Sequence, residues 1–297
     1  MDAEGIAELF RTIYSGSHSQ TKIEVVNNGL IDPNIASFVA VEDGIIAGHG
    51  QLRQLPEYPF TEYEKDGVEI ARLGVHRDYQ HQGVCKRLVD KLNQVLKKID
   101  PGFVFSDFNT ATDYSQRAMS CFDLKPVALM YGLSPDFTGI GQNNSFLVGM
   151  SIRDDVKDAR RVYVPARYKE LAELVYEGLG LERDVEEKDR KAVDLSSFSG
   201  YADKFVECSR KEIEEQGCTY RMFGVNLSSP FVISQIELAL EKGLTVEGMV
   251  PLARRQDGKR ADRLVLAYTP FELDHDKIKA TPGLNREFVE LVLRLRK

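Results

Sequence analysis

The chain has no tryptophan and only four cysteines and five histidines in 297 residues. None of the cysteines (Cys85, Cys121, Cys208, Cys218) forms a CxxC pair, so the sequence spells out neither a zinc framework nor a disulfide scaffold. They read as reduced thiols that pack inside regular elements. No apolar run approaches the roughly 20 residues needed to cross a bilayer as a helix. The N-terminus carries Asp2, Glu4 and Glu8 where a secretory signal would be basic and then apolar, which makes a cytoplasmic address the default expectation. A basic excess is missing too. With a net charge of −7 and lysines and arginines scattered among acids, there is no electrostatic footprint for nucleic acid. What is present is an ordinary globular composition, 42% apolar and 29% charged, over a length that suits two domains or one large α/β unit. Small molecules are the expected partners.

The most informative stretch runs from Glu69 to Leu96. A strand (Glu69 to Val75) leads into a turn (His76 to Gln82), and Gly83 opens a long amphipathic helix. Val84, Leu88, Val89, Leu92, Val95 and Leu96 recur at helical spacing and mark one buried face. Lys97 and Lys98 complement the negative end of the helix dipole, and Asp100, Pro101 and Gly102 end it. Such a turn delivers unpaired backbone N–H groups and the positive dipole end to one point, a place to hold a pyrophosphate.

Elsewhere in the first half, residues 3 to 14 place Ile6, Leu9, Phe10 and Ile13 on one helical face. SGSHSQ reads as a loop, and TKIEVVNNGLIDPN as a short helix closed at Asn28 and Gly29. Phe38 to Val41, a turn at Asp43 and Gly44, and Ile45 to Leu52 form a β-hairpin. A loop with Pro56 and Pro59 follows. FVFSDFN, VALMYGLS and SFLVGMSI read as strands, with a short helix in TDYSQRAMSCF. The order is that of an α/β (α+β) sandwich with helices on the faces of one mixed sheet. IRDDVKDARR then reads as a linker.

The second half opens on a helix in VYVPARYKELAELVYEGLGL, capped at Gly180. ERDVEEKDRK reads as solvated, and a strand is expected within AVDLSSFSGYADKFVE before a helix ended by Gly217. A strand YRMFGVNL, a helix from Pro230 to Gly243, strands TVEGMVPLA and RLVLAYTP, and a helix around REFVELVLRLR complete the chain. The series strand, helix, strand, strand from Tyr220 to Thr269 repeats that from Phe103 to Ile152 in order and approximate spacing, although two unrelated α/β units remain the alternative.

The run EIARLGVHRDYQHQGVCKRLVDKL resembles motif A of the GNAT superfamily of N-acetyltransferases, whose phosphate loop reads Q or R, x, x, G, x, then G or A. Gln80, His81, Gln82, Gly83 and Val84 match, and Cys85 stands at the last position. Val75, His76 and Tyr79 match the valine, spacer and aromatic that precede the loop. The resemblance implies a GNAT acyl-CoA-binding domain over residues 1 to 152, and over 162 to 297 a degenerate GNAT-like α/β domain that lacks the phosphate loop, as in tandem members. It implies acetyl-CoA as cosubstrate and no metal, with Leu73, Gly74 and Val75 along the pantetheine arm and Gln80 to Lys86 (with Val84, Cys85) on the phosphates, Ser115 nearby. Cys85 would sit at a helix N-terminus, where a thiol's pKa is lowered.

Acyl transfer from a thioester to an amine needs a neutral amine and a polarised carbonyl, and often an acid for the leaving thiolate. The resemblance points to Glu69, 11 positions before Gln80, as the base; an ordinary strand-end carboxylate is the plainer reading. The family's general-acid tyrosine corresponds to Phe122 here, within SQRAMSCF, so Tyr114 and Tyr131 are the substitute candidates, and water is the alternative. His18, His49, Asp107 and Asn109 are expected near the acceptor, a small-molecule or peptide amine. The implied activity is an acyl-CoA-dependent N-acyltransferase, most simply an N-acetyltransferase. The alternatives are a non-catalytic CoA-binding module and a tandem transferase using another acyl donor; the acidic balance argues against an aminoacyl-tRNA donor. The second half either covers the acceptor groove or forms a homodimer contact.

Overall fold

The computed structural model describes residues 2–14, 21–54, 67–153, 160–188, 194–217, 219, 221–254 and 260–296. Helices α1 (Ala3–Ile13) and α2 (Ile23–Ile31) precede a hairpin of β1 (Ile35–Glu42) and β2 (Ile45–Gln54). Its turn residues Asp43 and Gly44 have φ of 51° and 78°, the double left-handed step that lets a two-residue loop follow strand twist. Then come β3 (Gly67–Val75), α3 (Val84–Ile99), β4 (Phe103–Asn109), α4 (Tyr114–Cys121), β5 (Lys125–Ser134) and β6 (Asn144–Ile152). The rest of the chain forms β7 (Arg160–Val164), α5 (Lys169–Leu179), β8 (Arg183–Glu187), α6 (Ser196–Gln216), β9 (Met222–Asn226), α7 (Val232–Glu241), β10 (Thr245–Arg254), β11 (Arg260–Ala267) and α8 (Leu284–Leu295).

One mixed nine-stranded sheet runs through both halves in the order β1-β2-β3-β4-β6-β5-β10-β11-β9, with helices on its faces; β7 and β8 pair separately, in parallel. The order is palindromic about the β5/β10 seam, since β4-β6-β5 and β10-β11-β9 have the same connections and the same antiparallel partners. At the seam a single residue pair, Gly248 with Ala128, carries the register. Gly248 has φ of 155°, and a Cβ there would lie 2.2 Å from the Val127 carbonyl oxygen, so only glycine fits.

The main core spans both halves, from Leu92 and Leu96 of α3 to Phe288 and Val292 of α8. A second, small core of Ile6, Ala7, Phe10 and Val26 is built by α1 and α2 and packs against Val39 and Ile46 of the β1–β2 hairpin. Helix α3 buries Val84, Leu88, Val89, Leu92 and Leu96 as its periodicity requires, each such side chain worth about 1.5–3 kcal/mol.

Several expectations change. Helix α2 continues through Gly29, which is buried within it, to Ile31, and ends where Asp32 turns extended (φ −71°, ψ 119°). The expected strand in AVDLSSFSGYADKFVE is the first half of α6, a 21-residue helix that buries Ala202, Val206 and Ser209 at helical spacing. The stretch read as solvated contains β8, which pairs with β7 from Arg160/Arg183 to Val164/Glu187 and is laced by Arg161 to Asp184 and Glu186. The loop with Pro56 and Pro59, the linker around residues 154–159 and Cys218 lie outside the described residues.

Candidate active site

Strands β3 and β4 pair in parallel only from Gly67/Phe103 to Glu69/Phe105. Beyond that point they splay. The Ser106 hydroxyl donates to the Ile70 carbonyl at 2.6 Å, marking the vertex. Arg72 has φ of 54°, and the β2–β3 register slips between His49/Gly74 and Gln51/Ala71. This is a β-bulge with a non-glycine residue in the left-handed region, a costly conformation that turns the end of β3 away from β4. His49 holds it: its Nδ1 lies 3.2 Å from the Arg72 carbonyl oxygen, which can only accept, so Nδ1 carries the proton.

Past the splay, His76 donates from its backbone to the Ala47 carbonyl, and Arg77 to Tyr79 form one tight turn. His81 and Gly83 take φ of 62° and 79°. A Cβ on Gly83 would meet nothing closer than Arg87 Nη1 at 3.9 Å, so the glycine answers a backbone conformation and not a shortage of space. Helix α3 starts with no side-chain cap, and Arg87 N donates to the carbonyl oxygen of Gly83, its N-cap. The N–H groups of Val84, Cys85 and Lys86 are thus the orphan donors of a 16-residue helix. Gln80 and Gln82 turn their amides back onto the carbonyls of Val75 and Asp78 and brace the turn. Leu73, Gly74 and Val75 are half-buried along the splayed edge. The Cys85 thiol departs from expectation: shielding by its surroundings, and then the Cys121 thiol, push its pKa up despite the helix N-terminus.

On the sheet face covered by α1 and α2 lies a charged cluster. Glu69 is 4% exposed and accepts from Arg53 Nη1 at 3.1 Å. Burial, and then the Asp107 carboxylate, raise its pKa to about 7 against the pull of Arg53 and Arg72. Asp107, half-buried on β4, is likewise raised by burial. Burial, then the guanidinium of Arg53, lower Arg72 to about 10. His49, fully buried edge-on to Phe10, is lowered to about 4 by burial and is neutral. Tyr14 stands beside the cluster, its phenol raised to about 12 by burial and Asp107, in a row of rings with Phe10 and Phe137.

Of the sequence-predicted residues, Glu69, His49 and Asp107 come together here. Asn109 spends its side chain on Asn144 and Ala111 N, and Ser115 bonds the Asn109 carbonyl, so both close the end of β4. Tyr131 is 3% exposed, its hydroxyl accepting from Leu273 N and facing His275. Tyr114 is 65% exposed with its ring beside Arg117. Phe122 is core, and His18 lies outside the described residues. Sequence reasoning missed Tyr14, Arg53 and Arg72. The available signal was the alternation His49, Gln51, Arg53, a polar stripe on the strand face that α1 and α2 cover.

Among the described residues no helix is long and apolar enough to cross a membrane, and no group of three or more His, Cys, Asp or Glu gathers to hold a metal. No curated protein matches the chain. Among solved structures it is similar to the ribosomal-protein-S18-alanine N-acetyltransferase from Escherichia coli, at 10% identity over 52% of this chain and 88% of that one, with a TM-score of 0.42. It is also similar to the aminoglycoside 6'-N-acetyltransferase from Enterococcus faecium, at 13% identity over 52% and 93%, TM-score 0.38. A third is a GNAT family acetyltransferase from Elizabethkingia anophelis with acetyl-CoA bound, at 12% identity over 44% and 82%, TM-score 0.35. The family model described as Acetyltransferase (GNAT) family matches residues 3–123, from α1 to just past the end of α4, the stretch that holds the β3 splay and the N-terminus of α3.

Proposed function

We propose that the protein is an acyl-CoA-dependent N-acyltransferase, with acetyl-CoA as the simplest donor and an amine as acceptor. The observation that carries this reading is the uncapped N-terminus of α3 set at the mouth of the β3–β4 splay, with a buried carboxylate of raised pKa at the vertex. Coenzyme A fits these residues. The N–H groups of Val84 to Lys86 and the left-handed steps at His81 and Gly83 would take the pyrophosphate, and the unzipped edge of Leu73 to Val75 would take the amide-rich arm as a sheet edge takes a peptide. When bound, the group supplies an acyl thioester.

Glu69, or the Glu69–Asp107 pair acting together, removes a proton from the amine. The amine nitrogen forms a bond to the thioester carbonyl carbon as the carbon–sulfur bond breaks, and the thiolate takes a proton from water or from a nearby hydroxyl. Arg53 keeps the Glu69 carboxyl in place and opposes the burial that raises its pKa. Tyr14, beside Asp107 and never singled out by motif, is better placed than Tyr114 to meet the acceptor. In the same reading, residues 162–297 are a second GNAT-like unit without a phosphate turn, joined to the first at the β5/β10 seam.

The test is ligand-dependent stability. CoA or acetyl-CoA at 100 times its Kd adds about 2.7 kcal/mol, seen as a rise in Tm. No shift with CoA, acetyl-CoA or longer acyl-CoAs would sink the reading.

A further inference from the structure

The cluster under α1 and α2 contains four buried polar atoms with no hydrogen-bond partner among the described residues: His49 Nε2, Gln51 Oε1, Arg53 Nε and Arg72 Nη1. They follow one another along β2 and the β3 bulge. Their roles are fixed by what their neighbours already do. His49 donates from Nδ1, so its Nε2 is an acceptor; Gln51 donates from Nε2 to Ser37 Oγ at 2.8 Å, so its Oε1 is an acceptor. Arg53 Nε and Arg72 Nη1 are donors. His49 and Gln51 are each 1% exposed, so no bulk water satisfies them.

A buried donor or acceptor left unmade costs more than a made one returns, and several side by side point to a ligand that completes them. The charge balance says of what kind. Arg53 spends Nη1 on Glu69 while Arg53 Nε and Arg72 Nη1 stay unmade, so the cluster holds an excess of N–H donors on cationic groups. Beside the excess stand two acids and two neutral acceptors. A group with a carboxylate next to an amine matches both sets.

We propose that the acceptor is an amine that carries a carboxylate close to the reacting nitrogen, an amino-acid-type substrate, with its carboxylate on Arg53 Nε and Arg72 Nη1 and its amine toward Glu69 and Asp107. This rests on the acyltransferase reading and names the substrate class for it. The Arg53 side chain is 32% exposed, which gives the cluster a solvent end. At the other end the backbone of Gly29 on α2 lies over Arg72, where a Cβ would come within 2.7 Å of Nη1.

The experiment measures binding to the intact, CoA-saturated protein by thermal shift and titration calorimetry. The probes are the twenty L-amino acids, β-alanine and γ-aminobutyrate, each set against its carboxamide or decarboxylated amine, with a dipeptide series to separate free amino acids from peptide ends. The expected result is that at least one acid binds and its amide or decarboxylated form binds tenfold or more weakly. In Arg72→Gln that discrimination falls to less than threefold, and Arg72→Lys restores part of it. Amides or plain amines that bind as well as the acids, or a protein that binds CoA and none of the acids, would overturn the proposal. Failure to bind CoA itself is a different outcome, and takes away the acyltransferase reading beneath it. The wild-type comparison stands even where an arginine variant does not fold.

Discussion

Glu69 is held by two opposed influences, a carboxylate neighbour and burial that favour its neutral form and two arginines that favour its charge. Replacing it by Gln should lower acyl transfer by about 10²–10⁴-fold, the usual contribution of a positioned base. In the wild type the rate should climb as pH passes about 7, where the Glu69–Asp107 pair releases a proton, and in Glu69→Gln that limb should flatten. A variant with an unchanged pH profile would remove the base assignment. The same shift has a stability signature. Its folded-state pKa of about 7 lies above the ordinary 4.5, so the folded protein holds a proton that the unfolded chain has released. The stabilisation is complete below pH 4.5 and is lost as pH rises through 7. Glu69→Gln, which cannot titrate, should therefore gain on the wild type in urea denaturation between pH 5 and pH 8. At Gly83, a φ of 79° makes alanine strained by about 1–2 kcal/mol, so Gly83→Ala should weaken CoA binding about tenfold in a titration. The motif spelling around Gly83 was legible because turn chemistry is local. Arg53 was not, because it meets Glu69 as a cross-strand partner on β2, and Arg72 was not, because it sits in a bulge whose one-residue slip leaves no mark in local propensity.

Helix α3 is placed against β2 as tightly as the chain allows, since a Cβ on Gly48 would come within 2.8 Å of both Leu88 and Val84. Gly48→Val should push the helix N-terminus off the sheet, costing about 1–3 kcal/mol by chemical denaturation and weakening CoA binding at the same time. The elements around this contact were readable because two signals agreed in each: the hairpin had its alternation and its Asp43–Gly44 turn, and α3 had its periodicity and its terminal glycine. Where one signal spoke alone the reading failed. The N-terminal part of α6 is rich in serine and glycine, which hide helical spacing, and its buried residues Ala202, Val206 and Ser209 are small. Strand β8 is short and charged, and only pairing with β7 makes it a strand.

At the scale of the molecule, the two halves are tied by a polar lock that no motif announces. Glu247 is fully buried; it accepts from Tyr131 N at 2.9 Å and pairs with Arg296, whose guanidinium lies 3.9 Å over the Tyr131 ring. Removing Arg296 leaves an uncompensated buried carboxylate, so Arg296→Met should cost about 3–5 kcal/mol in denaturant, and adding Glu247→Gln should recover much of it. One core and one sheet cross the seam, so the wild type should melt in a single transition.

The closed ladder of β1 to β6 also sets an order of events during synthesis. Those six strands pair among themselves within residues 35–152, apart from the one link from Ala128 to Gly248. A ribosome that has released them can leave behind a folded cofactor platform while half the message is still untranslated. The Tyr131 hydroxyl and the Gln116 amide wait longer, for Leu273, Lys279 and Thr281, so the far side of the platform is completed only when the segment that leads into the last helix emerges.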